Sequence, residues 1–321
     1  MGCGTAMGSS FGIYAPNILH NSIVVKWYTD GSAASCVDGC HPGTRRGAHP
    51  VPALERPRTA RMLRPMRKWP IPGDDGMTQE ARRAYWEAEH RDNDYEGVFT
   101  VSQDEVVVSR CVEVAERRGS RTVLVAGCGS NVSIQRALLD RVDTVECVVG
   151  VDFPGVVEVS ATRLDDPRAR GVGADIGTDG CGEQADLIIT INSVLSDSDV
   201  ENRSILRAFR EAMPDGGALA GLFASIHAPL EMGYLQPDRA ILDQVNLEEC
   251  RFAERQQGIT QIFYSPLRLR AVLAEAGFRL DRMEVVFLDS PELAQQARDY
   301  YGLGTDPDVM AWELFVEATA V

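Results

Sequence analysis

The sequence has no long apolar run and no regular cysteine framework. It contains no stretch of about 18 consecutive apolar residues, so no membrane-spanning helix is expected. The N-terminus also lacks the apolar core behind basic residues that marks a secretion signal. The eight cysteines follow no paired spacing, and Cys111, Cys128 and Cys147 lie inside apolar segments, as reduced cysteines do. These absences favour a cytoplasmic protein.

A closed metal site is also missing. Cys36, Cys40 and His41 form at most half of one, because a structural zinc ion needs four ligands and no second pair has matching spacing. We therefore expect no metal.

Lysine and arginine are outnumbered by acidic residues, 32 against 47, and a net positive charge is found only at the N-terminal end. Residues 1–76 carry nine lysines and arginines against five acids, a net charge of +4. The whole chain has a net charge of −15, which leaves −19 on residues 77–321. A body this acidic repels phosphate backbones, so a nucleic-acid partner is not expected.

The chain divides near Met77. Residues 1–76 are rich in glycine, proline and serine and show little helical periodicity, which predicts a disordered or loosely attached extension. A helical pattern starts directly after Met77. Two interpretations stay open: the natural protein starts at Met77, or the extension belongs to it.

From residue 101 onward, helical and strand patterns alternate. Helices are predicted at 78–90, 103–118, 133–140, 156–164, 199–213, 266–276 and 291–301. Strands are predicted at 121–126, 146–152, 186–192, 218–225, 279–288 and 309–318, with a short one before Gly173. Such alternation predicts a mainly parallel sheet with helices on both faces. Ligands of these sheets bind outside the carboxyl ends of the strands.

A glycine turn follows the first strand. Gly127, Cys128 and Gly129 would let the backbone turn sharply while lying against a ligand, although a plain tight turn is the alternative. A dinucleotide site would place a third glycine at position 132, where this chain has Val132. That difference argues against NAD or FAD.

Polar residues also end the next three strands. Asp152, followed by Phe153, is placed to accept both hydroxyls of a ribose, or else to cap the next helix. Asp175, followed by Ile176, is placed to contact an adenine amino group, or else to form a turn. The pair Asn192-Ser193 either caps a turn or faces the site. Because the carboxyl ends of parallel strands meet at one edge of the sheet, these residues are expected to lie at the same edge.

In this order the segments resemble the class I S-adenosylmethionine-dependent methyltransferases, over roughly residues 95–320. The resemblance implies a Rossmann-like, mainly parallel seven-stranded sheet with helices on both faces and an antiparallel last strand. It implies S-adenosylmethionine as cofactor, with the glycine turn at its methionine part, Asp152 at its ribose and Asp175 at its adenine. The turn from Met213 to Ala218 also matches the family pattern.

Two positions depart from that pattern. Val125 replaces the acid often found before the first glycine, and Asn131 replaces the usual third glycine. The methionine end of the cofactor would then be held differently from the common arrangement.

The resemblance implies an enzyme that transfers a methyl group to an oxygen or nitrogen of a small organic molecule by in-line displacement. His227, beyond strand five, and His90, in the first helix, are candidate bases; each has a structural or solvated alternative. Aromatic N-terminal lids of the family suggest that residues 77–120 form a lid, with Tyr85, Trp86 and Tyr95 toward the substrate, although core packing would also explain them.

Residues 226–264 are longer than a usual connection. They contain Tyr234 and Tyr264 and are predicted to form a substrate lid or, alternatively, a homodimer contact within the domain at 121–321. Two other functions stay open. One is an S-adenosylmethionine-binding enzyme that performs cyclisation or aminocarboxypropyl transfer, and the other is a nicotinamide-dependent oxidoreductase. A non-catalytic scaffold on the same fold is a further alternative.

Overall fold

The computed structural model describes residues 78–92, 105–254, 258–288, 291–304 and 310–321. The predicted extension at 1–76, Tyr95 and the half-site of Cys36, Cys40 and His41 lie outside these residues. In the described part, no helix is long and apolar enough to cross a membrane.

Nine helices and ten strands make up the part of the chain that the structure describes. The helices are α1 Gln79–Asp92, α2 Glu105–Arg118, α3 Ser133–Arg141, α4 Pro154–Ala161, α5 Ile176–Asp179, α6 Asp199–Glu211, α7 His227–Leu235, α8 Pro266–Glu275 and α9 Pro291–Tyr301. The strands are β1 Thr122–Ala126, β2 Cys147–Asp152, β3 Ala169–Gly173, β4 Leu187–Ile191, β5 Ala218–Ala224, β6 Val245–Asn246, β7 Arg251–Glu254, β8 Ile259–Ile262, β9 Phe278–Leu288 and β10 Met310–Ala320.

Seven strands form the main sheet, in the order β3-β2-β1-β4-β5-β10-β9. Strands β3, β2, β1, β4 and β5 pair in parallel, whereas β10 runs antiparallel to both β5 and β9. The predicted fold class is therefore confirmed, including the antiparallel last strand. Because the order reverses between β1 and β4, the carboxyl ends of these strands border a crevice.

The sheet separates two hydrophobic clusters, and β1 shows how. Val123 and Val125 point into one cluster, and Leu124 and Ala126 point into the other; all four are at most 1% exposed. A strand covered by helices on both faces is apolar throughout, which explains the uninterrupted run. Burying side chains of this kind contributes about 1.5–3 kcal/mol each.

The sequence analysis assigned helices α1 and α2 to one lid, but the structure places them in different surroundings. Helix α2 packs in the core, with Val107, Val108 and Cys111 at most 3% exposed. Helix α1 instead packs against α4, beside the carboxyl edge of the sheet. Within the part of 77–120 that the structure describes, α1 alone is positioned to cover that edge.

The segment at 226–264 contains secondary structure that the sequence analysis did not predict. It begins with α7 and then forms a three-stranded antiparallel sheet in the order β6-β7-β8. The sequence analysis predicted no strands here because the pairs are only two to four residues long. A bridge between Ser225 and Tyr264 returns the chain to the end of β5.

Candidate functional site

A cavity lies at the carboxyl edge of the parallel strands, under α1. It encloses about 1440 Å³, counted out into the solvent at its mouth. The nine residues that the sequence analysis assigned to a cofactor all line it, namely Gly127, Cys128, Gly129, Asp152, Phe153, Asp175, Ile176, Asn192 and Ser193. The structure therefore brings together residues that are up to 66 positions apart in the chain.

The glycine turn after β1 has little room for side chains. Gly127 and Gly129 adopt φ of 63° and 60°, in the left-handed region that favours glycine. A Cβ atom at Gly127 would lie 2.5 Å from the Cβ of Ser193. The turn is therefore pressed against the end of β4, and its backbone forms part of the cavity wall.

Asp152 joins this turn to the end of β2. Its Oδ2 accepts a hydrogen bond from the Gly129 N–H at 2.9 Å, and its Oδ1 accepts one from the Phe153 N–H at 2.7 Å. Burial raises the pKa of the carboxyl to about 6, against the effect of the two backbone donors. The N-cap residue of α4 is Phe153, so Asp152 does not take the alternative capping role.

Asp175 caps a helix and also lines the cavity. Its Oδ1 accepts from the Gly177 N–H at 3.0 Å and caps α5, and the residue also lines the cavity. Ile176 beside it is 8% exposed and contributes an apolar wall.

The residues after β4 form the floor. Asn192 has a φ of 50°, unusual for a residue other than glycine, and its amide donates to the carboxylate of Glu313 on β10. The Ser193 hydroxyl lies 2.6 Å from that of Thr190. Glu313 is 5% exposed, and its burial raises the pKa of the carboxyl to about 7.

Helix α1 covers the cavity with aromatic side chains. Tyr85, Trp86 and His90 line it, and the Tyr85 and Trp86 rings meet edge to face with centroids 5.0 Å apart. Tyr85 is only 1% exposed, so its side chain is packed in the interior in addition to lining the cavity. Glu87 fastens the helix to the sheet edge by accepting from the Gly155 N–H at 3.1 Å.

Arg82 links α1 to the segment after β4, and the sequence analysis did not identify it. Its guanidinium lies 2.9 Å from Asp197 and also pairs with Glu201, and all three residues line the cavity. The sequence does place residue 82 on the same face of α1 as residues 86 and 90, because residues four positions apart in a helix share a face. Nothing in the sequence indicated the two acids, which lie 115 and 119 residues away.

His90 is neutral at physiological pH. Burial, aided by the charge of Arg163, lowers the pKa of its imidazole to about 4. Its Nδ1 lies 3.4 Å from the Ser130 hydroxyl, and its ring lies 6.4 Å from that of Trp86. A neutral imidazole is able to accept a proton, although one with so low a pKa is a weak base.

Three other predicted site residues do not line this cavity. His227 is exposed at the start of α7. Tyr234 is 66% exposed and lies beneath the Arg239 guanidinium. Tyr264 is 1% exposed and packs against Phe223 in the core. The insertion instead reaches the cavity through β8, with Ile259, Thr260 and Gln261, which the sequence analysis did not single out.

No group of three or more potential metal ligands occurs in the part of the chain that the structure describes. The chemistry of the cavity wall is instead that of backbone amides, carboxylates and aromatic rings.

No family model and no curated protein matches this sequence. Among solved structures, the N-methyltransferase NodS from Bradyrhizobium japonicum, in complex with S-adenosyl-L-homocysteine, matches with a TM-score of 0.50 and 11% identity over 74% of this chain and 97% of that one. Mitomycin 7-O-methyltransferase MmcR matches with a TM-score of 0.48 and 17% identity over 74% of this chain. Human N-acetylserotonin methyltransferase matches with a TM-score of 0.44 and 15% identity over 76%.

The matches to the last two enzymes span 60% and 56% of their lengths. The similarity to NodS shows that this chain has the fold of class I methyltransferases.

Proposed function

We propose that this protein is an enzyme that binds S-adenosylmethionine and transfers its methyl group to an oxygen or nitrogen of a small organic molecule. The observation that supports this most is the meeting of Asp152, the glycine turn and Asn192 in one cavity, at the strand edge where this fold binds ligands. The protein NodS, which shares the fold, was crystallised with S-adenosyl-L-homocysteine.

The polar groups of the cavity wall suit that cofactor. Gly127 lines the cavity, and the turn needs glycine there because any side chain would collide with Ser193. Asp152 would accept from the ribose hydroxyls, and Asp175 with Ile176 would contact the adenine. In such a site the cofactor supplies an activated methyl group on a sulfonium, so the protein needs no metal and no covalent intermediate for the transfer.

The chain's own residues then have three tasks. The loops after β1, β2 and β4 orient the donor, α1 excludes water, and the wall of β8 with Trp86 positions the acceptor. Holding two reactants in line at about 3–3.5 Å is worth up to about 7–11 kcal/mol. His90 is the candidate for taking the acceptor's proton, because it lines the cavity and His227 does not.

Two alternatives use the same fold. An enzyme that transfers the aminocarboxypropyl group or cyclises the cofactor would use the same cofactor contacts, so nothing in the cavity favours it. The sequence argues against a nicotinamide-dependent oxidoreductase, because the buried Val132 occupies the position where a dinucleotide site has its third glycine.

Product analysis tests the proposal. The full chain is incubated with S-adenosylmethionine and a panel of small amines, phenols and carboxylic acids, and each product is weighed by mass spectrometry. We expect S-adenosyl-L-homocysteine and a product heavier by one methyl group. A product that carries the aminocarboxypropyl group, with methylthioadenosine as by-product, would contradict methyl transfer and leave cofactor binding intact.

A further inference from the structure

The buried contact between Asn192 and Glu313 leaves two oxygens without hydrogen-bond partners. The Asn192 amide nitrogen donates to Glu313 Oε1, which joins residues 121 positions apart. Asn192 Oδ1 and Glu313 Oε2 are both inaccessible to solvent, and neither has a hydrogen-bond partner among the described residues. Buried acceptors without donors are rare because water can no longer satisfy them.

A single proton on Glu313 would give both oxygens a hydrogen-bond partner. A carboxylate can only accept hydrogen bonds, whereas a carboxylic acid has one O–H donor. If the proton is on Glu313 Oε2, that oxygen can donate to Asn192 Oδ1 while Oε1 still accepts from the amide nitrogen. The two side chains then form a cyclic acid–amide pair with two hydrogen bonds.

The surroundings give Glu313 no cation that would keep it charged. On α2, Arg110 pairs with Glu284 of β9 at 3.3 Å. Arg117 of α2 and Arg282 of β9 both pair with Glu317, which lies further along β10. No ion pair includes Glu313 among the residues that the structure describes.

The other neighbours of β10 in the described part of the chain add no positive charge either. Strand β5 places Ala224 opposite Glu313. On α7, the Glu231 carboxylate accepts from the Ala311 N–H at 2.6 Å, and His227 is exposed. Burial accordingly raises the pKa of the Glu313 carboxyl to about 7.

We propose that Glu313 is protonated in the folded protein at mildly acidic pH and, through this acid–amide pair, is the positioning residue for Asn192 in the cavity floor. Asn192 needs such support because its φ of 50° is unfavourable for a residue with a side chain. The adjacent Ser193 is the residue against which the Gly127 turn lies. Loss of the pair would therefore loosen the floor under the cofactor, a consequence that rests on the proposed function.

Urea unfolding of the full chain between pH 5 and 8 tests the protonation. A carboxyl whose pKa is higher in the folded than in the unfolded state loses stability as pH rises from about 4.5 to about 7, and Glu313→Gln has no such group. We expect the folding equilibrium constant of Glu313→Gln relative to the unaltered protein to rise by on the order of 100-fold across this range. A ratio that stays constant within about twofold would overturn the proposal.

Glu317→Gln is the matched control. It changes a glutamate on the same strand that is held by two arginines, so its effect on stability should be equal at pH 5 and pH 8. A pH-dependent ratio as large as that of Glu313→Gln would mean that the effect is not specific to the pair, and it would also overturn the proposal.

Calorimetric binding of S-adenosyl-L-homocysteine at pH 6.5 tests the positioning role. We expect Glu313→Ala to bind about 10-fold more weakly and Glu313→Gln to restore binding to within about threefold, because glutamine can make both hydrogen bonds. Unchanged binding by folded Glu313→Ala would overturn the positioning role. If none of the three proteins binds, the proposed function and the positioning role fail together, whereas the unfolding ratio still decides the acid–amide pair.

Discussion

The two sides of the cavity are built differently. The strand side uses backbone amides and short polar side chains at the ends of β1, β2, β3 and β4, as in the bond between Gly129 and Asp152. The cover side uses long side chains from distant segments, as in the pairing of Arg82 with Asp197 and Glu201. The strand side therefore follows from the fold, whereas the cover depends on a few side-chain pairs between distant segments.

The largest expected effect is on the strand side, at Gly127. Gly127→Ala would place a Cβ 2.5 Å from that of Ser193 at a φ of 63°. We expect a loss of stability of about 2–4 kcal/mol and binding of S-adenosyl-L-homocysteine weakened more than about 100-fold. Urea unfolding and calorimetry measure the two effects.

Gly119→Ala is the control for backbone strain. Gly119 has nearly the same φ, 62°, but no atom lies within 4 Å of its Cβ position. It should cost only about 1 kcal/mol and leave binding unchanged. Equal effects of the two substitutions would show that the strand side is not close-packed at Gly127.

The next largest effect is expected at Asp152. Asp152→Asn keeps the shape but removes the charge that accepts hydroxyl and amide hydrogens, so affinity for S-adenosyl-L-homocysteine should fall roughly 10–100-fold. In the unaltered protein the ionised form is needed, and the pKa of its carboxyl is about 6. Affinity should therefore decrease as pH falls from 7 to 5, a dependence that the asparagine variant should lack. A pH-independent affinity in both proteins would count against Asp152 as the ribose ligand.

A smaller effect is expected on the cover side, at Arg82. Arg82→Ala leaves Asp197 and Glu201 without this partner and weakens the attachment of α1, so cofactor affinity should fall about 10-fold. Arg83→Ala is the matched control, because Arg83 lies next in the helix and makes an exposed pair with Glu87 worth about 0.3–0.5 kcal/mol. If both variants bind alike, α1 does not act as a cover.

The smallest effect is expected at His90. Since the pKa of its imidazole is about 4, it is neutral between pH 6 and 8, and the methylation rate should show no inflection from it in that range. We expect His90→Ala to lower kcat about fivefold, well below the roughly 10²–10⁴-fold of a well-matched base. His227→Ala should have no effect, and a larger loss there than at His90 would reverse the assignment.

The contrast between the two sides of the cavity also explains which parts of the fold and the site could be predicted from the sequence. The alternation of strands and helices predicted the sheet, and the polar residues that end the strands predicted nine residues that line the cavity, because parallel strand ends meet at one edge. Arg82, Glu201 and β8 were missed because their proximity depends on contacts between distant segments.

His227 and Tyr264 show the opposite failure. His227 was proposed because it follows β5, and Tyr264 because it belongs to the predicted substrate lid. In the structure His227 is exposed, and Tyr264 packs against Phe223. The position of a residue along the chain indicates which edge of the sheet the residue lies near. The direction of its side chain depends on the tertiary structure.

Cofactor binding is the central claim, and thermal unfolding of the full chain with S-adenosyl-L-homocysteine, NADH or neither tests it most directly. A ligand at about 100 times its dissociation constant adds roughly 2.7 kcal/mol of stability. We predict a rise in Tm with S-adenosyl-L-homocysteine that Gly127→Ala abolishes, and no rise with NADH. A rise with NADH alone, or no rise with either ligand, would contradict the account.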